Sequence, residues 1–174
     1  FNIDKLKWIV RGGSSVQESI RNGVEHLVDK IREKDNVIIH DGIRPLIDAD
    51  ALTDVIAVCN KYGNAVTSLP YNEQIFVINQ ENTSTTKQYV PREQLRRVST
   101  PQAYRYGKLL AAYRKAFDEH IGIYGSSYTN TMMVDLGETL HFAKGSDKNI
   151  KLTTKGDLEL FKAYITADED TWLK

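Results

Sequence analysis

The sequence predicts an α/β fold with a mostly parallel sheet. Two observations carry that prediction. Strand-like and helix-like patterns alternate from Lys7 to Pro70, which argues for parallel strands joined by right-handed helical crossovers. One of those strands, in "NVIIH" at residues 36–40, is apolar on both faces, as expected where helices cover a sheet on each side. A third observation adds a feature. "QIFVINQENTSTTKQYV" alternates apolar and polar residues about a polar turn, the pattern of a two-stranded antiparallel arm.

Taken in order, "KWIV" (Lys7–Val10) reads as a short buried strand running into Gly12-Gly13-Ser14-Ser15. Val16, Ile20, Val24, Leu27, Val28 and Ile31 then recur at helical spacing. Ser15 and Glu18 have capping-box spacing at the helix start. After "NVIIH", Asp48 opens a second helix with Leu52, Val55, Ile56 and Cys59 inward, and Gly63 stops it. "NAVTSL" is a third strand, ending at Pro70. The arm, at about residues 72–92, has too little apolar surface to stand alone, so it is expected to pack on a partner such as another subunit. A further stretch follows in "RRVSTPQAYRY". A helix begins near Tyr106 with Leu109, Leu110, Tyr113, Ala116 and Phe117 at helical spacing. "TLHFAKG" and "NIKLTT" read as strands, and Thr154 and Asp157 start a last helix through Leu158, Phe161 and Ile165.

The 174 residues suit one domain. Lys+Arg and Asp+Glu both number 23, so there is no global pull toward nucleic acid or an anionic membrane, and any phosphate affinity must come from a local cluster. The single Cys59 excludes an internal disulfide and a cysteine-based zinc site, which suits a reducing cytoplasm. No apolar run approaches bilayer length, and "FNIDKLKWIV" lacks the pattern of a signal peptide.

Four polar clusters stand out. "RGGSSVQESI" puts two glycines and two serines at a helix start, where unpaired N–H groups and the helix dipole favour an anion; it also reads as a well-capped strand-to-helix turn. "HDGIRP" places Asp41 where a strand ends, and in open α/β sheets ligands bind outside the carboxyl ends of strands. A carboxylate there suits Mg²⁺ shared with substrate phosphates. Gly42 admits close approach, and Arg44 offers a planar fork for phosphate; the alternative is an Asp41–Arg44 surface pair on a turn. His40 reads as a packed, hydrogen-bonded residue rather than a catalyst. Lys151 in "NIKLTTKGD" meets a phosphate in a cleft or simply reaches solvent. Arg92, Arg96 and Arg97 make a basic cluster before the Thr100-Pro101-Gln102 turn, either an anion site or a solvated rim. His26, His120 and His141 share no metal-ligand spacing, and Ser19 has no adjacent base.

In this order, "GGSSVQESIRNGV", "VIIHDGIRP", "STPQAY" and "NIKLTTKGDLELFKAYI" resemble the cytidylyltransferases that act on methylerythritol phosphate and ribitol phosphate. The matches run from Gly12 to Ile165. The resemblance implies a Rossmann-like nucleotidyltransferase sheet, a β-hairpin dimerisation arm and a homodimer. It implies that CTP and a polyol phosphate give a CDP-polyol and pyrophosphate with Mg²⁺, chiefly by positioning and charge neutralisation. By the same resemblance Gly12, Gly13 and Ser19 contact the nucleotide. Asp41 binds metal and acceptor, and Gly42, Arg44, Thr100 and Thr129 contact the acceptor. Arg92 reaches a neighbouring subunit's site, and Lys151, with Arg44, neutralises developing phosphate charge.

Three departures bear on this. The family opens with a strand and a glycine-rich loop whose arginine and lysine hold the triphosphate. No such segment precedes "KWIV", so residues 1–174 are expected to be an N-terminally incomplete domain that does not turn over CTP alone. Asn72-Glu73 stands where relatives carry Asp-Thr, and Asn130 replaces an acid after Thr129. "HDG" leans toward a ribitol-type acceptor. Alternative readings are a non-catalytic nucleotide-binding or dimerisation module of this fold, or a nucleotidyltransferase using another base or a sugar 1-phosphate. Asp41, Arg44 and Lys151 meeting in one cleft separates the leading reading from one in which Lys151 lies on the opposite sheet edge.

Overall fold

In a computed structural model, the described residues are 3–125 and 128–167. Five α-helices and six strands are formed among them. α1 spans Val16–His26, β1 Asn36–Ile39, α2 Ala49–Tyr62 and β2 Asn64–Pro70. The arm is β3 (Ile75–Ile78) and β4 (Thr86–Val90), followed by β5 (Arg96–Arg105) and α3 (Tyr106–Glu119). α4 (Thr129–Asp135), β6 (Phe142–Lys144) and α5 (Lys155–Thr166) complete the set.

The main sheet has the order β1-β5-β2-β6. β2 pairs with β6 in parallel, Thr67 opposite Ala143. β5 runs the other way. Tyr106 N donates to Asp35 O and Arg105 N to Gly63 O, whereas Asp41 N donates to Thr100 Oγ1 and Thr67 Oγ1 to Ser99 O. Residue numbers therefore climb in β5 as they fall in β1 and β2, which makes the sheet mixed. β5 also makes β1 an edge strand. Hence Ile38 is 38% exposed, although the apolar run suggested cover on both faces. β2, inside the sheet, is the strand whose first five residues are all buried.

The chain gathers into two compact units. Of the described residues, one takes 3–38, Ile56–Ala65 and those of 103–141; the other takes Ile39–Val55, Val66–Gln102 and 142–167. The boundary falls inside β1, α2, β2 and β5, so these elements serve both, where the composition suggested one domain. The first unit buries Val24, Cys59, Tyr104, Leu109, Tyr113 and Met132 almost completely. The second buries smaller residues, among them Ala51, Val55, Val66 and Ala143.

Most expected elements are present. Ser15 caps α1 by accepting Glu18 N. Asp48 caps α2 by accepting Ala51 N at 2.7 Å, and Gly63 closes it at φ +89°, a conformation that favours glycine. β3 and β4 pair antiparallel from Ile75–Val90 to Ile78–Thr86. Two expected strands do not form. Lys7–Val10 is irregular, and Ile9 is 88% exposed. These residues have the apolar content of a strand but pair with none of the described strands. "NIKLTT" is also irregular: Ile150 N turns back to Lys148 O, and Leu152 N donates to Ile43 O. One such bond does not make a ladder. α1 stops at His26, so Leu27, Val28 and Ile31 lie beyond it. α4 was not apparent in the sequence pattern.

α5 carries the chain's most complete cap. Asp157 Oδ2 accepts Thr153 N (2.9 Å), Thr153 Oγ1 (2.8 Å) and Thr154 N (2.7 Å), while Thr154 Oγ1 accepts Asp157 N. The Thr153 backbone and hydroxyl, then those of Thr154, hold the Asp157 carboxyl down at about 2, from 3.8. A depressed carboxyl stabilises the fold above its unfolded value and loses that contribution as pH falls through the folded one. The wild type is therefore expected to lose this contribution between about pH 4 and pH 2. Asp157→Asn lowers the melting temperature above pH 4 and flattens the profile below it. Superimposable melting profiles for the two proteins would contradict the assignment.

Candidate active site

Five acceptor-side candidates, Asp41, Gly42, Arg44, Thr100 and Lys151, lie in the second unit. β1 ends at Ile39, and a tight turn with Arg44 N on Asp41 O carries the chain through Gly42. The turn folds Arg44 back so that its Nε donates to Asp41 Oδ2 at 3.0 Å. Arg44 Nη1 donates to Asn149 O at 2.8 Å. Lys151 Nζ stands 3.5 Å from the same Asp41 Oδ2, longer than an ordinary hydrogen bond. The discriminating expectation is met: Asp41, Arg44 and Lys151 converge. Thr100 joins them by accepting Asp41 N on its hydroxyl at 3.0 Å. A Cβ added at Gly42 would meet no atom within 4 Å, so the space over this turn is open. His40 is hydrogen-bonded through Nε2 to Arg44 O, but exposed.

A cavity of about 230 Å³ adjoins this cluster, lined by Arg44, Lys151, Arg97, Ser99, Asp147 and Asn149 among others. Its polar lining and concentrated positive charge suit a phosphate-bearing polyol better than an apolar ligand. Arg97 pairs with Asp147, and both are largely exposed, so this contact is weakly held. Burial works against the Asp41 charge. The Arg44 hydrogen bond and the Lys151 charge outweigh it and keep the carboxyl below its ordinary value, so Asp41 is an anion at neutral pH. A larger hollow of about 540 Å³ surrounds Arg21, Arg114 and Phe117 and contains none of the candidates.

Among the described residues no three His, Cys, Asp or Glu side chains converge to hold a metal. Beside Arg44 and Lys151 the carboxylate is that of Asp41; Asp147 in the adjoining cavity is paired with Arg97. That fits Mg²⁺ only in the mode where phosphate oxygens and water complete the shell.

The nucleotide-side candidates lie in the first unit. Gly13 N donates to Ser19 Oγ at 3.0 Å, and Ser19 Oγ donates to Ser15 O. Ser14 offers its N–H and hydroxyl to Glu18 Oε2 at 2.6 and 2.5 Å. Three of the donors at this turn are thus already engaged, and the anion that takes the two from Ser14 is Glu18. Its carboxyl is held below the ordinary range, first by the Ser14 hydroxyl and then by the Ser14 N–H. Glu18 does not return to the Ser15 N–H, so the capping box is not reciprocal. A Cβ on Gly13 would collide with the Glu18 side chain, and one on Gly12 would stand 3.2 Å from Ser19 Oγ. A phosphate arriving at this turn has to displace Glu18.

Two candidates are not brought to Asp41. Arg92 lies at the foot of the arm, with Nη1 on Asn72 O at 3.2 Å and Nε 3.5 Å from Glu93. Thr129 belongs to the first unit's interior, where its hydroxyl meets Tyr113 OH at 2.6 Å. Tyr113 OH also donates to Gln17 Oε1, and Gln17 Nε2 to Gly122 O. This buried chain ties α1, α3 and the start of α4 together. Glu73 is exposed, and Asn130 is 8% exposed. Asn149, Ser99 and Asp147 were not singled out in the sequence. Only the position of Asn149, two residues before Lys151, hinted at a shared site.

With the fold and this cluster described, the comparisons define the class. The chain belongs to the 2-C-methyl-D-erythritol 4-phosphate cytidylyltransferase (IspD) family, whose model matches residues 3–167. It is 62% identical over 169 residues to the ribitol-5-phosphate cytidylyltransferase of Lacticaseibacillus paracasei, covering 97% of this chain and 71% of that protein. It is 35% identical over 153 residues to the 2-C-methyl-D-erythritol 4-phosphate cytidylyltransferase of Thermosipho melanesiensis, covering 88% and 64%. Among solved structures it resembles 2-C-methyl-D-erythritol 4-phosphate cytidylyltransferase from Thermus thermophilus, with TM-score 0.74, 25% identity and coverage of 91% and 73%. The fold also matches 4-diphosphocytidyl-2C-methyl-D-erythritol synthase from Anaerococcus prevotii, with TM-score 0.77, 20% identity and coverage of 94% and 74%. The chain thus spans 64–74% of the length of these proteins.

Tyr113→Phe leaves Gln17 Oε1 and the Thr129 hydroxyl short of a buried partner. It is expected to cost about 1–3 kcal/mol in urea unfolding. An unchanged unfolding midpoint would show that the Gln17–Tyr113–Thr129 chain does not hold this unit together.

Proposed function

We propose that the chain works as a CTP-dependent cytidylyltransferase domain whose acceptor is ribitol 5-phosphate. The observation that carries this reading is the convergence of Arg44 and Lys151 on Asp41 beside an open turn. The 62% identical relative favours ribitol 5-phosphate over methylerythritol phosphate.

The reaction joins an acceptor phosphate oxygen to the α-phosphorus of CTP, breaks the α–β phosphoanhydride bond and releases pyrophosphate. The chain's residues have little covalent work to do. Arg44, bonded to Asp41 and to Asn149 O, presents a fixed positive charge to the acceptor phosphate. Lys151, loosely placed at 3.5 Å, can turn from Asp41 toward phosphate oxygens as charge builds. Asp41 holds both cations and orients the polyol. Mg²⁺ held between Asp41 and nucleotide phosphates would add charge neutralisation.

The arm supports a homodimer. It exposes Phe76 (54%), Ile78 (60%) and Tyr89 (66%), apolar side chains that a second subunit would cover and that a two-stranded hairpin cannot bury by itself. Arg92 at its foot is then available to a neighbouring subunit's site. No described helix is long and apolar enough to cross a membrane, and a cytoplasmic setting is in keeping with the single buried thiol.

The test is calorimetric titration of the chain with D-ribitol 5-phosphate, and with 2-C-methyl-D-erythritol 4-phosphate in parallel. D-ribitol 5-phosphate is expected to bind the tighter of the two, and Arg44→Ala to weaken it by about tenfold or more, since charge-assisted hydrogen bonds contribute about 1.5–3 kcal/mol. Failure of D-ribitol 5-phosphate to bind, tighter binding of 2-C-methyl-D-erythritol 4-phosphate, or binding indifferent to Arg44→Ala would overturn the assignment.

A further inference from the structure

Asn149 has an unusual set of contacts for a residue only 5% exposed. Its side-chain Nδ2 donates to Thr100 O at 2.7 Å. Its backbone carbonyl accepts Arg44 Nη1 at 2.8 Å. Its own Oδ1 is buried with no hydrogen-bond partner. The amide orientation follows from chemistry, because Thr100 O can only accept and so must face the NH₂ group. A buried acceptor left unpaired costs stability, and its persistence calls for an explanation.

The contacts form a closed circuit. Asp41 N donates to Thr100 Oγ1. Thr100 O accepts Asn149 Nδ2. Asn149 O accepts Arg44 Nη1, and Arg44 Nε returns to Asp41 Oδ2. Arg44 and Asp41 come from one turn, Thr100 from β5 and Asn149 from the irregular segment before Lys151. Without the Asn149 amide, nothing else in the circuit ties that segment to β5. The segment is otherwise held by Asn149 N on Ser146 O, Ile150 N on Lys148 O and Leu152 N on Ile43 O, and by the exposed pair of Asp147 with Arg97 of β5, which is weakly held. Freed from Thr100 O, the segment would hold the Asn149 carbonyl that anchors Arg44 less firmly, and Lys151, two residues on, would be placed less tightly.

We propose that Asn149 is a positioning residue, which sets acceptor affinity by locking the segment that holds Arg44 and carries Lys151. This rests on the polyol-phosphate reading above and adds a residue to it. The orphaned Oδ1 is the cost of presenting Nδ2 to Thr100 in a space with no second donor.

The test compares Asn149→Ala with Asn149→Asp, which is close to isosteric but presents an acceptor to Thr100 O. Each is titrated with D-ribitol 5-phosphate and melted, and the Arg44 Nε–H resonance is followed by NMR. Both variants are expected to raise Kd tenfold or more. Asn149→Ala is expected to melt only slightly below the wild type, because the loss of the donor to Thr100 O is offset by removal of the orphaned oxygen. The Arg44 signal, sharp in the wild type, is expected to merge with those of exposed arginines. The proposal falls if Asn149→Ala binds within twofold of the wild type with the Arg44 signal unmoved. It falls equally if Asn149→Asp binds normally while Asn149→Ala loses both affinity and stability, since that pattern means packing. A wild type that binds no polyol phosphate would overturn the functional reading and this inference with it, whereas normal wild-type binding with indifferent variants overturns this inference alone.

Discussion

Arg44 is the point on which the cluster of Asp41, Asn149 and Lys151 depends. Its guanidinium is anchored on one side by the Asp41 carboxylate and on another by the Asn149 carbonyl. An arginine held at two points loses little further freedom on binding a phosphate. Its side chain is 15% exposed, against 35% for Lys151. The two cations are therefore unlike: one is a fixed fork, the other a looser point charge. Asp41 makes this possible by staying ionised despite partial burial. The abrupt end of the β1 apolar run is the local cause. The strand stops at Ile39, the turn opens at Gly42, and Arg44 returns to the acid three residues back.

The helix start at Ser15 follows the same electrostatics with its anion supplied from within. Unpaired N–H groups at a helix terminus attract negative charge, and Glu18 provides it through Ser14. The chain thus contains an anion-favouring turn already occupied by its own carboxylate and, separately, a cationic cluster with open space over Gly42. The first opposes an incoming phosphate until Glu18 moves; the second is ready for one.

Much of this was legible in the sequence because it rests on local rules. Ser15, Asp48 and Thr154 were recognisable as caps, and Gly63 as a stop, since each acts within a turn of its own helix. Asp41, Arg44 and Lys151 were legible through their motifs, the first two also through the strand end they follow. The misses share a cause. Lys7–Val10 and "NIKLTT" have strand-like composition, but a strand exists only when a partner pairs with it, and the pairing is non-local. Ile38 was expected to be covered because the insertion of β5 beside β1 cannot be read from β1. Asn149 escaped notice because its importance lies in a circuit through Thr100 and Arg44, residues far apart in the chain. Thr129 was read as a substrate contact, and its bond to Tyr113 depends on the meeting of two helices.

A crystal structure of the chain with D-ribitol 5-phosphate tests the account most directly. The acceptor phosphate is expected within about 2.7–3.2 Å of both the Arg44 guanidinium and the Lys151 ammonium, with the Arg44–Asn149 bond retained. A phosphate bound away from Arg44, or an Arg44 that leaves Asn149 on binding, would contradict it.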